Sequence, residues 1–259
     1  MKLIQSRDNP FYKELARLSG SARQRSKSNQ TLLDGAHLLT AYLDSGNQPR
    51  HILLNAAALN DGEIAGLLQR VIDVPVTRLD DNLFAGISEL KTPTGILALI
   101  DIPQPAVAQS RFALLLEDIQ DPGNLGSILR SAAAAGCDAV FLSPGCADAW
   151  SPKVLRAAMG GHFGLNIHER ADLPEIAARF IGTTFGTSLQ ARESVYRHDY
   201  TGNVAFAIGN EGSGLSGALI DALHHAIVIP MCGKVESLNA AAAAAVCLFE
   251  AVRQRHSTG

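Results

Sequence analysis

The chain has 259 residues, of which 47% are hydrophobic and 18% charged, and its formal net charge is -3. This is the composition of a globular protein with a sizeable apolar core, long enough for one large or two smaller domains, and it excludes collagen-like order and wholesale disorder. No uninterrupted apolar run reaches the roughly 18 residues that cross a bilayer, and charge enters the first segment too early for a signal peptide, so a cytoplasmic protein without membrane association is expected.

The acidic average conceals a basic arm. Through Lys27 the chain carries seven basic residues (Lys2, Arg7, Lys13, Arg17, Arg23, Arg25 and Lys27) against two acidic ones (Asp8 and Glu14), and the other 232 residues sum to -8. Clustered cations neutralise phosphates, which makes Arg7, Lys13, Arg23, Arg25 and Lys27 candidate RNA contacts. A solvated helix face near a terminus accounts for the charge equally well.

In chain order, periodicity predicts a helix over residues 9–19, a polar basic stretch at 20–30, and a strand followed by a helix over 31–44. Strands at 51–54, 74–77 and 95–100 then alternate with helices at 61–72 and 80–86, completing a small α/β domain over residues 1–102. Residues 103–110, with Pro103 and Pro105, read as a linker. From 111 to 259, strands at 112–116, 139–142, 183–187, 204–208 and 226–229 alternate with helices, as in a parallel sheet covered on both faces. The last helix spans 237–255, and its alanine run at 240–245 suits helix propensity and close packing.

Cys137, Cys146, Cys232 and Cys247 lack zinc-type spacing and read as reduced, buried thiols. His162, His168 and the His224–His225 pair have no acidic or thiol ligand at a paired spacing, so no metal is expected.

Three glycine-rich stretches carry polar residues that core packing would not select. They are residues 121–130 (Asp-Pro-Gly-Asn-Leu-Gly-Ser-Ile-Leu-Arg), 208–215 (Ile-Gly-Asn-Glu-Gly-Ser-Gly-Leu) and 229–239 (Ile-Pro-Met-Cys-Gly-Lys-Val-Glu-Ser-Leu-Asn). Each follows a predicted strand, and in parallel α/β sheets such loops line the ligand crevice. Glycine lets backbone approach a ligand closely, which can hold an adenine and a ribose with few side chains. Gly-Asn-Glu-Gly alone reads equally well as a tight strand-to-helix turn, and no stretch matches the dinucleotide fingerprint or a phosphate loop.

In this order the three stretches resemble the signature motifs of the SpoU/TrmH family of RNA 2'-O-ribose methyltransferases, within the SPOUT superfamily. The likeness covers essentially all of residues 111–259. The opening Ser6-Arg7-Asp8-Asn9-Pro10 and the Asp34-Gly35 step are similar, more loosely, to a substrate-binding domain of the ribosomal protein L30e type. The resemblance implies an α/β fold whose parallel sheet ends in a deep trefoil knot, a homodimer, S-adenosylmethionine as cofactor, and structured RNA as substrate, with ribosomal RNA preferred over transfer RNA.

It further implies catalytic or substrate-positioning roles for Asn124, Arg130, Glu211, Ser237 and Asn239. The implied cofactor pocket comprises Thr187, Ser188, Leu189, Gly209, Asn210, Gly212, Ile229, Met231, Gly233, Ser237 and Leu238, gripping adenosine mostly through backbone. Three positions depart from the family pattern: Ala158 for a frequent serine, Ala240-Ala241 for Val-Ser, and Asp34 for glutamate, the first two being expected near the site.

Methyl transfer to a ribose hydroxyl needs an in-line approach and loss of the hydroxyl proton. A guanidinium is a poor base, so Arg130 is expected to bind the phosphate beside the target ribose and stabilise the developing alkoxide. Asn124 and Asn239 either orient ribose or arginine or cap helices. Glu211 is expected to hydrogen-bond within the loop cluster and steer Arg130, or to sit as a first-turn glutamate, and Ser237 to serve the site or cap the last helix. Two other classes compete: a non-catalytic RNA-binding or ribosome-assembly protein, and an unrelated nucleotide-binding enzyme. The intact polar set argues against the first, and the joint order of the stretches against the second.

Overall fold

The computed structural model describes residues 1–71, 73–90, 92–106 and 109–257. Ile72 of the expected helix at 61–72 and Val107 and Ala108 of the expected linker lie outside the described residues. The chain divides into two compact units, Met1–Pro103 with Trp150–Phe163, and Gln104–Ala149 with Gly164–Gly259.

The first unit contains β1 (Lys2–Ile4), α1 (Pro10–Gly20), α2 (Ala22–Ser28), β2 (Gln30–Asp34), α3 (Ala36–Asp44), β3 (His51–Leu54), α4 (Gly62–Arg70), β4 (Val76–Leu79), α5 (Asp81–Ala85) and β5 (Ile96–Asp101). Its five-stranded sheet runs β1-β4-β3-β5-β2, parallel up to β3 and antiparallel from there. The start of α1 is set locally: Asn9 Oδ1 accepts from the amides of Phe11 and Tyr12 at 3.0 and 3.3 Å, and Pro10 takes the first helical position. Tyr12, Leu15 and Leu18 recur at helical spacing and bury against Leu32, Leu53, Leu79 and Phe84. At Gly35, φ is +106°, a conformation that glycine adopts without a Cβ penalty, which makes the Asp34-Gly35 step a chain-turning junction. Asp34 Oδ2 accepts from Ser88 Oγ and Glu89 N, both at 2.8 Å.

The stretch at 20–30 departs from expectation, because α2 is helical although it has no apolar stripe. Ser21 Oγ caps it by accepting from Gln24 N at 3.3 Å, and Asn29 ends it in the left-handed region at φ 54°. Arg25 is 5% exposed, and its guanidinium donates to the Leu18 and Ser19 carbonyls at the end of α1, the latter at 3.0 Å. A cation there satisfies orphan carbonyls and complements the helix dipole. Arg25 is therefore a structural tie and not a surface RNA contact. Arg7, Arg23 and Lys27 are exposed, and Lys13 pairs with Asp8 at 2.8 Å on the surface.

The second unit begins with β6 (Phe112–Leu116), α6 (Pro122–Ala135) and β7 (Ala139–Leu142). Next comes α7 (Pro152–Ala158), on the excursion that groups with the first unit. The second unit resumes with β8 (Asn166–His168), α8 (Leu173–Arg179), β9 (Thr183–Thr187), β10 (Glu193–Ser194), β11 (Val204–Ile208), α9 (Gly217–Ala222), β12 (His225–Val228) and α10 (Ala240–Ser257). Its seven strands run β10-β12-β9-β11-β6-β7-β8, every pair parallel. Every residue of β6 and β11 is buried, as expected of central strands covered on both faces. Leu115 and Ala207 pack on Leu173 and Ala177 of α8 and Leu219 of α9, while α6 and α10 pack together.

Residues 150–163, expected within the domain spanning 111–259, group by their contacts with the first unit. Trp150, Val154, Leu155 and Ala158 are buried, Thr31 Oγ1 donates to the Trp150 carbonyl at 2.7 Å, and the Phe163 ring meets Tyr42 edge-on at 5.1 Å. A helix of seven residues has too little surface to fold by itself, so it takes the apolar partner that tertiary structure supplies.

Replacing Arg25 by alanine leaves the Leu18 and Ser19 carbonyls without their donor in a dry environment. Arg25→Ala is expected to lower the unfolding free energy by about 2–3 kcal/mol, read from the urea midpoint of the full chain.

Candidate active site

Because every strand pair in the second unit is parallel, the turns after β6, β11 and β12 emerge along the same edge of the sheet. The first of them is not a loop throughout. Asp121 Oδ1 accepts from Asn124 N at 2.8 Å, Pro122 takes the first position, and residues 122–130 are already α6. Gly126 is buried within this helix.

A chain of side chains joins the three turns. Asn124 Nδ2 donates to Glu211 Oε1 in the turn after β11, and Asn239 Nδ2, from the segment before α10, donates to Asn124 Oδ1 at 2.8 Å. Asn239 also caps α10, its Oδ1 accepting from the amides of Ala241 and Ala242 at 2.9 and 3.3 Å. Capping and site assembly are thus two uses of one amide. Glu211 faces Asn124, and among the described residues Arg130 makes no hydrogen bond or ion pair, which corrects the expectation that Glu211 steers it. Arg130 lies exposed in the middle of α6.

The turn after β11 is held from within. Asn210 Oδ1 accepts from Gly212 N and Ser213 N, and its Nδ2 donates to the Asp118 carbonyl at 3.0 Å. Glu117 grips the start of α9 with both carboxylate oxygens, accepting from Ser216 N and Oγ at 2.7 Å each. A Cβ on Gly209 would lie 2.3 Å from the Gly214 carbonyl carbon and oxygen, so the turn closes only with glycine there.

Beside this chain opens a cavity of about 480 Å³. Its walls include Thr187, Ser188, Leu189, Gly209, Asn210, Gly212, Ile229, Met231, Ser237 and Leu238 from the expected pocket, together with Glu211. Gly233 is exposed and does not line it; nor do Asn124, Arg130 and Asn239. Ser237 lines the cavity and leaves the capping of α10 to Asn239. The sequence reading missed Gln190 and Leu215, which lie in turns, and Ile220, Ile227, Ala240 and Ala243, which come from a strand and helix faces that read as core. Ala240, one of the three noted departures, is buried on this wall, whereas Ala158 belongs to the excursion and is absent from it.

Residues 111–249 match the model of the SpoU rRNA Methylase family, and residues 9–98 match the MRM3-like substrate binding domain. The chain belongs to the SpoU rRNA Methylase family. It is 34% identical over 253 residues to the 23S rRNA (guanosine(2553)-2'-O)-methyltransferase RlmP of Bacillus subtilis (strain 168), covering 96% of this chain and 98% of that protein. It is 29% identical over 262 residues to the 23S rRNA (uridine(2479)-2'-O)-methyltransferase of Streptomyces viridochromogenes, with 96% and 91% covered. Among solved structures, the SpoU methyltransferase AviRb from Streptomyces viridochromogenes, in complex with the cofactor AdoMet, superposes with a TM-score of 0.87 at 28% identity over 96% of this chain and 99% of that one.

The thiols of this SpoU chain stand apart from the chemistry. Burial pushes the Cys247 thiol up to about 12 and raises those of Cys137 and Cys146, which keeps all three protonated near neutral pH. Cys232 is exposed, against the expectation of four buried thiols, because it sits in the open turn after β12.

Gly209→Ala is expected to push the backbone of Gly214 outward and cost about 1–3 kcal/mol, observable as a lower thermal midpoint. Asn210→Ala should shift the midpoint in the same direction by removing the internal brace of that turn.

Proposed function

We propose that this chain transfers a methyl group from S-adenosylmethionine to the 2'-oxygen of a ribose in ribosomal RNA, with the cavity beside Glu211, Asn124 and Asn239 as the cofactor site. The observation that carries the reading is the hydrogen-bonded chain through Asn124, which draws three separate turns to the rim of one pocket. The pocket fits the cofactor: its volume of about 480 Å³ lies within the range typical of small-molecule sites, and Ile208, Leu215, Ile227 and Leu238 offer apolar surface to an adenine. When bound, S-adenosylmethionine supplies an electrophilic methyl group on a sulfonium.

The chain's own residues then position the acceptor. Asn124 and Asn239 form a fixed amide pair at the rim, preorganised for a ribose because each is already tied to a second element. Glu211 has one oxygen committed to Asn124, which suits it to orientation more than to proton abstraction. Arg130 has a free guanidinium among the described residues, and that availability supports binding of the phosphate next to the target sugar and stabilisation of the developing alkoxide. The hydroxyl proton passes to phosphate or water.

The family resemblance extends the proposal to a homodimer, with both subunits around the substrate, and to a trefoil knot formed by the C-terminal segment. The latch of α10 supports a firmly seated C-terminus: Gln254 Oε1 accepts from Tyr200 N at 2.8 Å, and Arg255 donates to the Tyr200 and Gly202 carbonyls while lying 4.1 Å above the Phe112 ring. Exposed Arg7, Arg23 and Lys27 on the first unit are the candidate RNA contacts that remain, with Lys13 contributing once released from Asp8. No described helix is long and apolar enough to cross a membrane. The proposed ribosomal RNA substrate is what supports a cytoplasmic location.

The test is transfer of radiolabelled methyl from S-adenosylmethionine to ribosomal RNA isolated from a strain lacking this gene. The expected product is a single alkali-resistant 2'-O-methyl linkage. Asn124→Ala should lower turnover about a hundredfold. Arg130→Lys should fail to restore the turnover lost in Arg130→Ala. Labelling of transfer RNA alone would overturn the substrate assignment, and cofactor binding without transfer to any RNA would favour the non-catalytic reading.

A further inference from the structure

We propose that Glu193, His198 and His225 form a binding site for a first-row divalent cation of the zinc type, which fastens the edge strand β10 to β12. No such group was expected from the sequence, because the three residues are separated by up to 32 positions and no paired spacing links them. Folding brings them together. Glu193 opens β10, His198 follows the short 3-10 turn Val195–Arg197, and His225 opens β12. Glu193 stands opposite Ile227 in the β10–β12 register, and two residues back along β12 is His225, on the same face of the sheet.

One ligand atom from each residue lies within 4.8 Å of the other two. A carboxylate and two imidazoles suit borderline cations such as zinc, whose bonds of about 2.0–2.2 Å call for side-chain shifts below about 1 Å here. The decisive atom is His198 Nε2. It is buried and lies 3.1 Å from Glu193 Oε2, yet it has no hydrogen bond, because the ring is not aligned to direct an N–H at that oxygen. The contact is thus an ion-pair distance without hydrogen-bond alignment, and the lone pair of a neutral imidazole at that atom can meet a cation. Phe185 holds both rings from one side, stacked on His225 at 5.2 Å and edge-on to His198 at 5.1 Å. Glu193 and His225 are exposed, which gives an ion an entry path and leaves a coordination position to water.

The placement gives the site a purpose. Strand β10 has two residues and, among the described residues, its only strand partner is β12, while Val195 after it is buried and held through its carbonyl by the Tyr200 hydroxyl at 2.7 Å. The chain reaches β10 directly from Ser188, Leu189 and Gln190, and β12 runs into Ile229, all of them walls of the cavity. An ion binding Glu193 and His225 would hold those two walls in register.

The inference does not depend on the methyltransferase reading, and its test uses the full chain after treatment with a chelator. Calorimetry with zinc chloride is expected to show saturable binding of one ion per chain, and zinc at a hundredfold excess over Kd should raise Tm by roughly 5–10 °C. Cobalt(II) should develop visible ligand-field absorption. His225→Gln, at an exposed position, and Glu193→Gln should each weaken binding at least tenfold without lowering the Tm of the metal-free chain, whereas Cys232→Ser should leave the affinity unchanged. Absence of saturable binding, or binding equally tight in His225→Gln and Glu193→Gln, the mark of an adventitious ion only, would overturn the proposal.

Discussion

The side-chain amide of Asn124 is the point at which three separately formed turns become one site. An amide carries a donor and an acceptor in a single rigid plane, and here Nδ2 serves Glu211 while Oδ1 serves Asn239. A carboxylate in its place would repel Glu211, and a hydroxyl would not span both partners. The arrangement depends in turn on the sheet, since only uniformly parallel strands deliver the turns after β6, β11 and β12 to one edge. Where the two central strands lie side by side, Ile208 registers with Leu116, so the turns that follow them start at the same height.

Much of the polar chemistry at this edge is spent on the protein itself. Asn210, a candidate cofactor ligand by its position in the motif, uses both amide atoms to brace its own turn against the Asp118 carbonyl. Glu117 does the same for the entry to α9. The wall this leaves is backbone with apolar side chains behind it, a surface suited to a flat, weakly charged ring. Arg130, with no partner of its own among the described residues, is by contrast free to meet an anion.

Some local signals were legible in the sequence and others were not. The helix that Asn9-Pro10 starts was expected over 9–19, and the fully apolar run from Phe112 to Leu116 reads as a strand buried on both faces, whereas Asp121-Pro122 starts a helix where a glycine-rich loop was expected. Helix α2 escaped notice because nothing apolar marks it: its stability comes from Ser21 and from Arg25 reaching back to carbonyls six and seven residues earlier. The same long side chain that counted as surface charge in the sequence is buried in the fold.

The candidate site divides in the same way. From the sequence came the three glycine-rich stretches and their order, and through their resemblance to the family's motifs the residues Glu211, Ser237, Gly209 and Leu238 that border the cavity. Tertiary structure alone decided which atoms meet: that Glu211 answers Asn124 while Arg130 has no partner among the described residues, that Asn239 caps α10, that residues 150–163 pack with the first unit, and that Glu193, His198 and His225 converge at a sheet edge. Contacts between residues distant in the chain are fixed by strand order and register, and no short run of sequence encodes either.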